Sequence, residues 1–363
     1  MNTPRFFTRT GESTGGNPGK ASSIECTLCP NRCVIASGKE GKCKVRVNQE
    51  GKGALPYYGY ISSLALDPIE KKPLYHFRPG TEILSIGFAG CNLRCPFCQN
   101  WHISQNTDVS GRFMTSSELA AAVKDSRGPG ALHSIAAMHS IAYTYSEPLV
   151  HAEFLLDCMK EAKKEGIANV LVTNGCVNRE AAKEILAQTD AANIDLKCFS
   201  EESYKNILGG DLNTVLDFIR MAVEMDVHVE LTTLVVPDLN DSRAELDACC
   251  SFIAEIESAG KAAPWHLSAY HPSYKWKTPA TDPCFLLEAV GRAREKLKFV
   301  YAGNIAVQEG RKNYCDTSCP YCGETLISRR GYKTDCSGLS LREECGKLAY
   351  YCRRCSRRVP VEC

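Results

Sequence analysis

The sequence lacks an apolar run of 18 or more residues, an excess of charge of one sign, and the apolar core of a secretory signal near its start. The first absence argues against a transmembrane helix, because a membrane span needs about 20 predominantly apolar residues. A formal net charge of +1 gives the whole chain no electrostatic case for binding nucleic acid or a membrane surface. Without a secretory signal, we expect a cytoplasmic location.

Cysteine is abundant, with 21 residues in a chain of 363. Secreted disulfide scaffolds are also rich in cysteine, but they are usually short. In a chain with the size and apolar content of a cytosolic enzyme, clustered cysteines more often bind metal. Six scattered cysteines lie on apolar segments and are predicted to be small core residues: Cys158, Cys176, Cys198, Cys249, Cys250 and Cys284.

Strand-like and helix-like segments alternate between about residues 80 and 302, which predicts parallel βαβ units in an α/β fold. The predicted strands cover residues 82–88, 141–145, 169–173, 192–196, 228–236 and 265–270, with a last short strand at 298–301. Thr115 with Glu118 predicts a helix start, and Gly166 predicts a helix end. Six units are too few for a closed eight-fold barrel and suit either an open doubly wound sheet or a partial (βα)6 barrel.

Residues suited to chemistry follow the predicted strands. They are Cys91, Glu147, Asn174, Lys197 and His271. In both candidate folds, ligands bind at the carboxyl ends of the strands. The sequence therefore predicts that these residues share one site.

The segment from Cys91 to Ser104 (CNLRCPFCQNWHIS) spaces Cys91, Cys95 and Cys98 as C-x3-C-x2-C. Three thiolates can ligate three irons of a [4Fe–4S] cluster, which leaves the fourth iron without a protein ligand. An open metal position is where a cofactor or substrate binds. The alternative is a zinc knuckle with a fourth ligand from elsewhere, such as His102, although structural zinc loops usually use C-x2-4-C pairs.

This motif after the first strand resembles the signature of radical S-adenosylmethionine (SAM) enzymes. The wider segment resembles the AmmeMemoRadiSam-system radical SAM enzymes, relatives of the pyruvate formate-lyase activating enzymes. The resemblance runs from about residue 25 to about residue 331, and it implies the partial (βα)6 barrel. It also implies a [4Fe–4S] cluster, SAM, an external one-electron donor and a Memo-like partner protein.

The resemblance also implies roles for single residues. Tyr143-Thr-Tyr-Ser-Glu-Pro148 stands where radical SAM enzymes carry a Gly-Gly-Glu-Pro motif, so Glu147 would bind the SAM ammonium. Its alternative is a helix-start carboxylate. The last set of residues would lie near SAM or the cluster: Phe97 over the cluster, Asn174 in Val172-Thr-Asn-Gly175, Asp195 and Lys197 in a D-x-K element, and His271 in Tyr270-His-Pro272. The alternative for Asp195 and Lys197 is a structural ion pair at a strand end. His271 is either a proton carrier or a histidine with a structural role only, and the second interpretation is slightly favoured.

The implied reaction begins when the reduced cluster cleaves SAM to methionine and a 5′-deoxyadenosyl radical. The radical then takes a hydrogen atom from an unidentified substrate. Cofactor and cluster carry this chemistry, while the protein positions them and excludes water. The alternatives are an activase that places a glycyl radical on a partner protein, and a metal-binding or RNA-binding adaptor without radical chemistry.

Four cysteines precede the loop within 18 residues: Cys26, Cys29, Cys33 and Cys43. Four thiolates suit either zinc or an iron–sulfur cluster. Near the other end, two C-x2-C pairs have zinc-ribbon spacing: Cys319 with Cys322, and Cys352 with Cys355. Cys315, Cys319 and Cys322 also repeat C-x3-C-x2-C, which leaves a second cluster open, and Cys336, Cys345 and Cys363 leave a second metal or a redox pair open.

Residues 311–363 carry eleven Lys and Arg against six Asp and Glu. A basic ribbon with aromatic residues can bind RNA, and its alternative is a solvated face that holds the ribbon on the barrel. The predicted organisation has a flexible tail at 1–23, a Cys-rich metal module at 24–78, the radical SAM barrel at 79–310 and a zinc-ribbon-like domain at 311–363.

Overall fold

A parallel sheet organises the chain. The computed structural model describes residues 4–9, 23–125, 140–306, 313–344 and 347–362. Each of seven parallel strands pairs with the next one along the chain. The seven strands are Glu82–Gly87, Ser140–Thr144, Ala168–Thr173, Ala191–Asp195, His228–Val235, Trp265–Ala269 and Val300–Gly303. The predicted strands are confirmed within one or two residues at their ends.

One helix follows each of the first six strands: Ser116–Asp125, Ala152–Lys164, Arg179–Leu186, Leu212–Glu224, Arg243–Ser258 and Pro283–Ala293. Because parallel crossovers are right-handed, a sheet whose strands follow chain order carries all its helices on one face. A doubly wound sheet reverses its strand order, and this one does not. The fold is the partial (βα)6 barrel.

An eighth strand, Ser63–Pro68, extends the sheet antiparallel to Glu82–Gly87. It was not predicted, and it lies inside the segment 24–78 that the sequence assigns to a metal module. The strand order begins with Val300–Gly303 and ends with Ser63–Pro68, so these two edges do not pair in the described part of the chain. We call the gap between them the seam.

Local signals set the helix ends as predicted. The Glu118 N–H donates to Thr115 Oγ1 at 3.2 Å, and the Thr115 N–H donates to Glu118 Oε2 at 2.7 Å, which forms a capping box. Gly166 takes a φ of +65°, which ends the helix before it. The short helices are Ile69–Lys71, which precedes the first parallel strand, and Trp101–Ser104, Pro148–His151, Glu201–Ser203 and the π-helix Tyr204–Leu208 within the barrel.

The N-terminal segment is ordered where it meets the barrel, which differs from the flexible tail predicted over 1–23. Phe7–Arg9 pairs antiparallel with Ile24–Cys26, since Phe7 packs on the core and the Arg5 guanidinium lies 2.5 Å from Glu184. Residues 10–22, the Gly- and Ser-rich part, lie outside the described residues. The other short strands before the helix Ser116–Asp125 are Val34–Ile35, Val47–Gln49, Lys52–Ala54, Tyr60–Ile61 and Arg112–Phe113.

The C-terminal segment forms a small β module on the barrel. Its strands are Thr317–Ser318, Thr325–Arg330, Lys333–Asp335, Leu339–Glu344 and Lys347–Cys352. Arg329 is buried, lies 4.1 Å over the Tyr75 ring and donates to the Tyr75 carbonyl at 2.7 Å. This guanidinium therefore fastens the module to the barrel.

Five of the six scattered cysteines are buried, as predicted. Cys284 is exposed, because it stands in the first turn of the helix Pro283–Ala293, beside the N-cap Asp282. None of the nineteen described cysteines forms a disulfide. Among the described residues, no helix is both long and apolar enough to cross a bilayer.

Candidate functional site

One cavity of about 460 Å³ lies at the carboxyl ends of the parallel strands. Residues from the ends of six strands line it: Thr144, Thr173, Asp195, Leu234, Ser268 and Asn304. Because residues from both halves of the sheet reach the same space, the sheet curves around the cavity. The cysteine loop, which follows the first parallel strand, closes one side.

Cys91, Cys95 and Cys98 all line this cavity. Burial raises the pKa of the Cys91 thiol well above its usual value and that of Cys95 to about 12. The Leu93 N–H donates to the Cys91 sulfur at 3.3 Å, an arrangement that suits a thiolate ligand. Buried thiols of this kind become thiolates when a metal binds, and three from one loop match the donor set of a cluster with one open iron.

The Glu147 carboxylate is buried and reaches the cavity wall. It accepts hydrogen bonds from Thr173 Oγ1 at 2.6 Å, from the Asn174 N–H at 2.8 Å and from the Leu149 N–H at 3.1 Å. The last bond caps the short helix Pro148–His151, so the helix-start role is real. Burial outweighs these donors and raises the pKa of Glu147 to about 7. Burial therefore makes the charged form of this carboxyl group costly, and a bound ammonium would stabilise that charged form.

Asp195 and Lys197 lie on the same side of a strand end, and Lys197 Nζ donates to Asp195 Oδ2 at 2.9 Å. Burial by itself lowers the pKa of Lys197, but Asp195 and the Cys95 sulfur outweigh it and hold that pKa well above its usual value. The cavity therefore contains a permanent cation close to the cysteine loop.

Of the other predicted residues, Phe97 and Asn174 line the cavity and His271 does not. Phe97 is buried between two of the loop cysteines and lines the cavity, and Asn174 Nδ2 lies 3.7 Å from the Cys91 sulfur. His271 is exposed and is not among the cavity-lining residues; its Nε2 lies 3.3 Å from the Asn304 carbonyl oxygen. A strand-end position therefore did not bring His271 into the cavity.

Sequence reasoning missed the residues that hold the predicted ones. Asn174 Nδ2 donates to Asn92 Oδ1 at 3.0 Å, and Asn92 Nδ2 donates to the Cys176 carbonyl at 2.6 Å. Asn174 was predicted, but Asn92 was missed, because its contacts with Asn174 and with the Cys176 carbonyl form only through tertiary packing.

The cavity also reaches the seam. Lys71, Lys72 and Tyr332 line it there, the last from the C-terminal module. Asp67 accepts from both lysines at 2.7 Å and from the Tyr145 hydroxyl at 2.5 Å. Asp67, Lys71, Lys72 and Tyr332 were not predicted, because they lie outside every recognisable motif. Tyr145 belongs to the segment Tyr143–Pro148, but its contact with Asp67 was not predicted.

The four N-terminal cysteines form a second group, which we call the N-terminal quartet. Cys26, Cys29, Cys33 and Cys43 line one small cavity, with Asn92 on its wall. Burial raises the pKa of the Cys43 thiol to about 12.

The four C-terminal cysteines form a compact group, which we call the C-terminal quartet. The sulfur atoms of Cys319, Cys322, Cys352 and Cys355 all lie within 4.8 Å of one another. Two of the pairs are separated by 3.7 Å and 3.6 Å. Four thiolates around one zinc ion at about 2.3 Å stand about 3.8 Å apart, so the quartet matches a single tetrahedral ion.

The other C-terminal cysteines lie apart from this quartet. Cys315 donates to the Ala302 carbonyl at 3.1 Å, and the Cys336 sulfur lies 3.9 Å from the Pro79 carbonyl. Cys319 and Cys322 belong to the compact group, which does not include Cys315. The structure therefore does not favour the alternative cluster site formed by Cys315, Cys319 and Cys322. Cys345 and Cys363 lie outside the described residues.

The basic residues of the C-terminal module largely meet partners within it. Arg354 lies 3.2 Å from Glu324, Arg358 lies 3.5 Å from Glu344, and the Arg357 guanidinium covers the Tyr321 ring. This pairing favours a solvated structural face over an RNA-binding surface.

The chain is similar to several known proteins. Residues 85–248 match the model described as the Radical SAM superfamily. An uncharacterized protein of Methanocaldococcus jannaschii is 35% identical over 344 residues, which cover 94% of this chain and 96% of the relative. The pyruvate formate-lyase 1-activating enzyme of Escherichia coli K12 is 28% identical over 218 residues, 58% of this chain and 83% of the enzyme. The crystal structure of Streptococcus suis SuiB bound to S-adenosylmethionine is 12% identical, with a TM-score of 0.48, over 66% of this chain and 53% of SuiB.

Proposed function

We propose that Cys91, Cys95 and Cys98 hold a [4Fe–4S] cluster, because residues 85–248 match the Radical SAM superfamily and the chain is similar to pyruvate formate-lyase activating enzymes. The observation that supports this assignment most strongly is that all three thiols line the same cavity as Glu147 and Lys197. The family implies the cluster and SAM; the residue assignment is our proposal.

Two charged side chains would hold SAM by its amino-acid end. Glu147 binds the ammonium, since its carboxylate is buried and already oriented by Thr173 and the Asn174 N–H. Lys197 binds the carboxylate, and Asp195 keeps its ammonium directed along the cavity wall. Phe97 covers the cluster, and Asn174 holds the loop through Asn92. His271 is left out of this set because it is exposed.

When both groups are bound, the cluster and SAM supply a 5′-deoxyadenosyl radical for hydrogen abstraction. An external donor of one electron is required. The chain contributes position and the exclusion of water: the buried loop and the 460 Å³ cavity keep the reacting carbon close to the substrate and away from solvent. The substrate is unidentified.

We assign the chain more finely to the AmmeMemoRadiSam-system enzymes, with a Memo-like protein as a partner and a reducing cytoplasmic location. We also propose zinc in the C-terminal quartet, and three modules at 24–78, 79–310 and 311–363, with the strand Ser63–Pro68 of the first module added to the sheet of the second. The support for zinc is the sulfur spacing of 3.6 to 3.7 Å.

A glycyl-radical activase is the second candidate, because the pyruvate formate-lyase activating enzymes are relatives. Co-expression with a candidate partner, followed by electron paramagnetic resonance (EPR) of that partner, separates the two. A glycyl-radical signal that depends on Cys95 would favour the activase, and 5′-deoxyadenosine formation without any such signal would favour a small substrate.

The central test is anaerobic reconstitution with iron and sulfide, followed by SAM and dithionite. We expect 5′-deoxyadenosine from the native chain and none from Cys95→Ala. Cys284→Ala is the matched control, because Cys284 is exposed and does not line the cavity. Absence of product from a native chain with a full cluster and bound SAM, with every candidate substrate tried, would contradict the proposal.

A further inference from the structure

The N-terminal quartet lies directly behind the cysteine loop. Gly90, which precedes Cys91, has no side chain, and a Cβ atom there would stand 2.4 Å from the Cys43 carbonyl oxygen. On the other side, Asn31 Nδ2 donates to the Asn92 carbonyl at 2.9 Å. Both residues that flank Cys91 are therefore in contact with the segment that carries the quartet.

Asn92 joins the two groups of cysteines. It is bonded covalently to Cys91, lines the quartet's cavity, and lies within hydrogen-bonding reach of Cys29. Its Oδ1 accepts from Asn174, whose amide also approaches the Cys91 sulfur. The path from a quartet sulfur to a loop sulfur thus passes through a single residue.

The spacing of the sulfurs separates the three cysteine sets. Among the described residues, only the C-terminal quartet brings three or more such ligand atoms within 4.8 Å of one another. The N-terminal quartet is more open, and so is the set Cys91, Cys95 and Cys98. Thiolates on an iron–sulfur cluster stand farther apart than thiolates on one ion, because several metal atoms and sulfides lie between them. The N-terminal quartet therefore resembles the loop set and differs from the zinc-like one.

Backbone donors point at the quartet's sulfurs. The Lys42 N–H donates to the Cys33 sulfur at 3.3 Å, as the Leu93 N–H does to Cys91. The N–H groups of Asn31 and Val45 approach Cys29 and Cys43 in the same way. Such N–H···S bonds are part of how proteins hold cluster thiolates and set their reduction potentials.

We propose that the N-terminal quartet holds a second iron–sulfur cluster, of the [4Fe–4S] type, and that this cluster passes electrons to the one on the loop. The donor is a one-electron iron–sulfur or flavin protein. One electron reduces the quartet's cluster from 2+ to 1+, and its transfer returns that cluster to 2+ while the loop cluster goes from 2+ to 1+. The relay rests on the proposed function, whereas the identity of the quartet's cluster does not.

The places of the two sets give the relay a purpose. Cys91, Cys95 and Cys98 line the cavity that SAM and substrate would fill. Cys33 is partly exposed, as Cys91 and Cys98 are, but it does not line that cavity. A protein donor that is too large for the cavity can approach the quartet, and the loop cluster then receives its electron from behind.

The first experiment measures iron, sulfide, zinc and EPR in the variant Cys91→Ala/Cys95→Ala/Cys98→Ala, which cannot hold the loop cluster. We expect about four irons and four sulfides per chain and a reduced [4Fe–4S] signal. A folded variant with zinc in the N-terminal quartet, or with no metal there, would overturn the proposal. Zinc bound at the C-terminal quartet would also appear in this metal analysis. The measurement is therefore repeated in the same variant with Cys352→Ser added, and the difference in zinc content gives the C-terminal share.

The second experiment measures proximity. In the fully reduced native chain both clusters are paramagnetic, and only Asn92 separates the two cysteine sets. At such a short distance each cluster broadens the EPR signal of the other, so the native spectrum should differ from the sum of two single-cluster spectra. Those spectra come from the triple variant and from Cys26→Ser/Cys29→Ser. A native spectrum equal to that sum would show that the clusters do not interact and would overturn the relay.

The third experiment measures electron delivery as a ratio: the rate of 5′-deoxyadenosine formation with a reduced flavodoxin- or ferredoxin-type donor, divided by the rate with dithionite. We expect Cys33→Ser to lower this ratio at least tenfold, and Cys284→Ala to leave it at the native value. An unchanged ratio in Cys33→Ser would overturn the relay. A native chain that makes no 5′-deoxyadenosine with either reductant would instead contradict the proposed function, while the metal content of the triple variant would still report on the quartet.

Discussion

Lys197 Nζ lies 2.9 Å from Asp195 Oδ2, and both side chains line the cavity that contains the three loop cysteines. Asp195 orients the Lys197 ammonium beside the proposed cluster position. The ammonium stays accessible from the cavity, since the Lys197 side chain keeps about 20% of its surface exposed. A carboxylate that enters the cavity can therefore reach it without breaking the pair.

Lys197→Gln should weaken SAM binding by roughly tenfold to a hundredfold, the loss expected when one charged hydrogen bond of about 1.5–3 kcal/mol is removed. The measurement is equilibrium dialysis of SAM against the anaerobically reconstituted protein. Lys205→Gln is the control, because Lys205 is exposed and does not line the cavity. Equal affinities in native protein and Lys197→Gln would remove Lys197 from the proposed site.

Gly90→Ala should destabilise the protein by about 3 kcal/mol or more, because Gly90 has a φ of +82° and its new Cβ would meet the Cys43 carbonyl at 2.4 Å. Gly166→Ala is the matched control: it has a φ of +65° but no atom within 4 Å of the added carbon, so it should cost only about 1 kcal/mol. Chemical unfolding of both variants measures the difference. If both variants lost the same free energy of unfolding, the close contact between Gly90 and the Cys43 carbonyl would not account for the cost.

Arg46→Ala should cost about 3–5 kcal/mol, because it leaves the buried Glu153 carboxylate without its ionic partner and with the Arg5 N–H as its remaining donor. Arg46 donates to both Glu153 oxygens, at 2.7 Å and 2.9 Å, and both side chains are at least 95% buried. The double variant Arg46→Met/Glu153→Leu should recover most of the loss, since no charge then remains buried. A double variant as unstable as Arg46→Ala would show that the packing of the arginine stem, and not the charge, accounts for the cost.

His228 should make the protein less stable as the pH rises from about 6.5 to 9. Burial by itself lowers the pKa of His228, but hydrogen bonds to Glu230 and Glu362 outweigh burial and raise it to about 9. The folded state therefore holds a proton that the unfolded state releases above about 6.5, so this contribution is complete below that pH and is lost as the pH rises to 9. The loss amounts to about 3 kcal/mol at most.

Urea unfolding at several pH values between 6 and 9.5 measures this slope. It should disappear in His228→Asn and remain in the control His271→Asn, whose side chain is exposed. At acid pH the opposite sign is expected from His76, whose pKa burial lowers to about 4, since stability then falls as the pH drops from about 6.5 to 4.

The C-terminal quartet should contain one zinc ion per chain. Cys352→Ser should lose that zinc and lower the melting temperature, because four thiolates then become three. Cys336→Ser should retain it, because Cys336 lies outside the compact group. Metal analysis by mass spectrometry decides between these outcomes, and iron in place of zinc would contradict the assignment.

Much of the barrel could be predicted because its signals are local. Apolar runs of strand length, the Thr115–Glu118 capping box and the Gly166 stop each specify their own element, so the order of strands and helices followed. The strand-end rule then placed Cys91, Glu147, Asn174 and Lys197 around one cavity. These residues are close because parallel strands end at one edge of the sheet.

What could not be predicted depends on contacts between distant segments. The strand Ser63–Pro68 joins the sheet through pairing with Glu82–Gly87, and six residues that end in Asp-Pro are too short a pattern to predict that partner. Asn92 acquires its role from Asn31 and Asn174, which lie far from it in sequence. The strand-end rule failed for His271, because the chain turns outward there and places the ring in solvent.

The seam between Val300–Gly303 and Ser63–Pro68 has a consequence for how this fold can diversify. In a closed barrel, a complete ladder of backbone hydrogen bonds fixes the diameter. In this chain the ladder is interrupted at the seam, where side chains such as Lys72 and Tyr332 limit the width of the cavity. Replacing them changes the space available to a substrate without disturbing any strand pair or the cysteine loop. Under the proposed function, the shape of the cavity at the seam can therefore change in evolution while the cysteine loop stays the same.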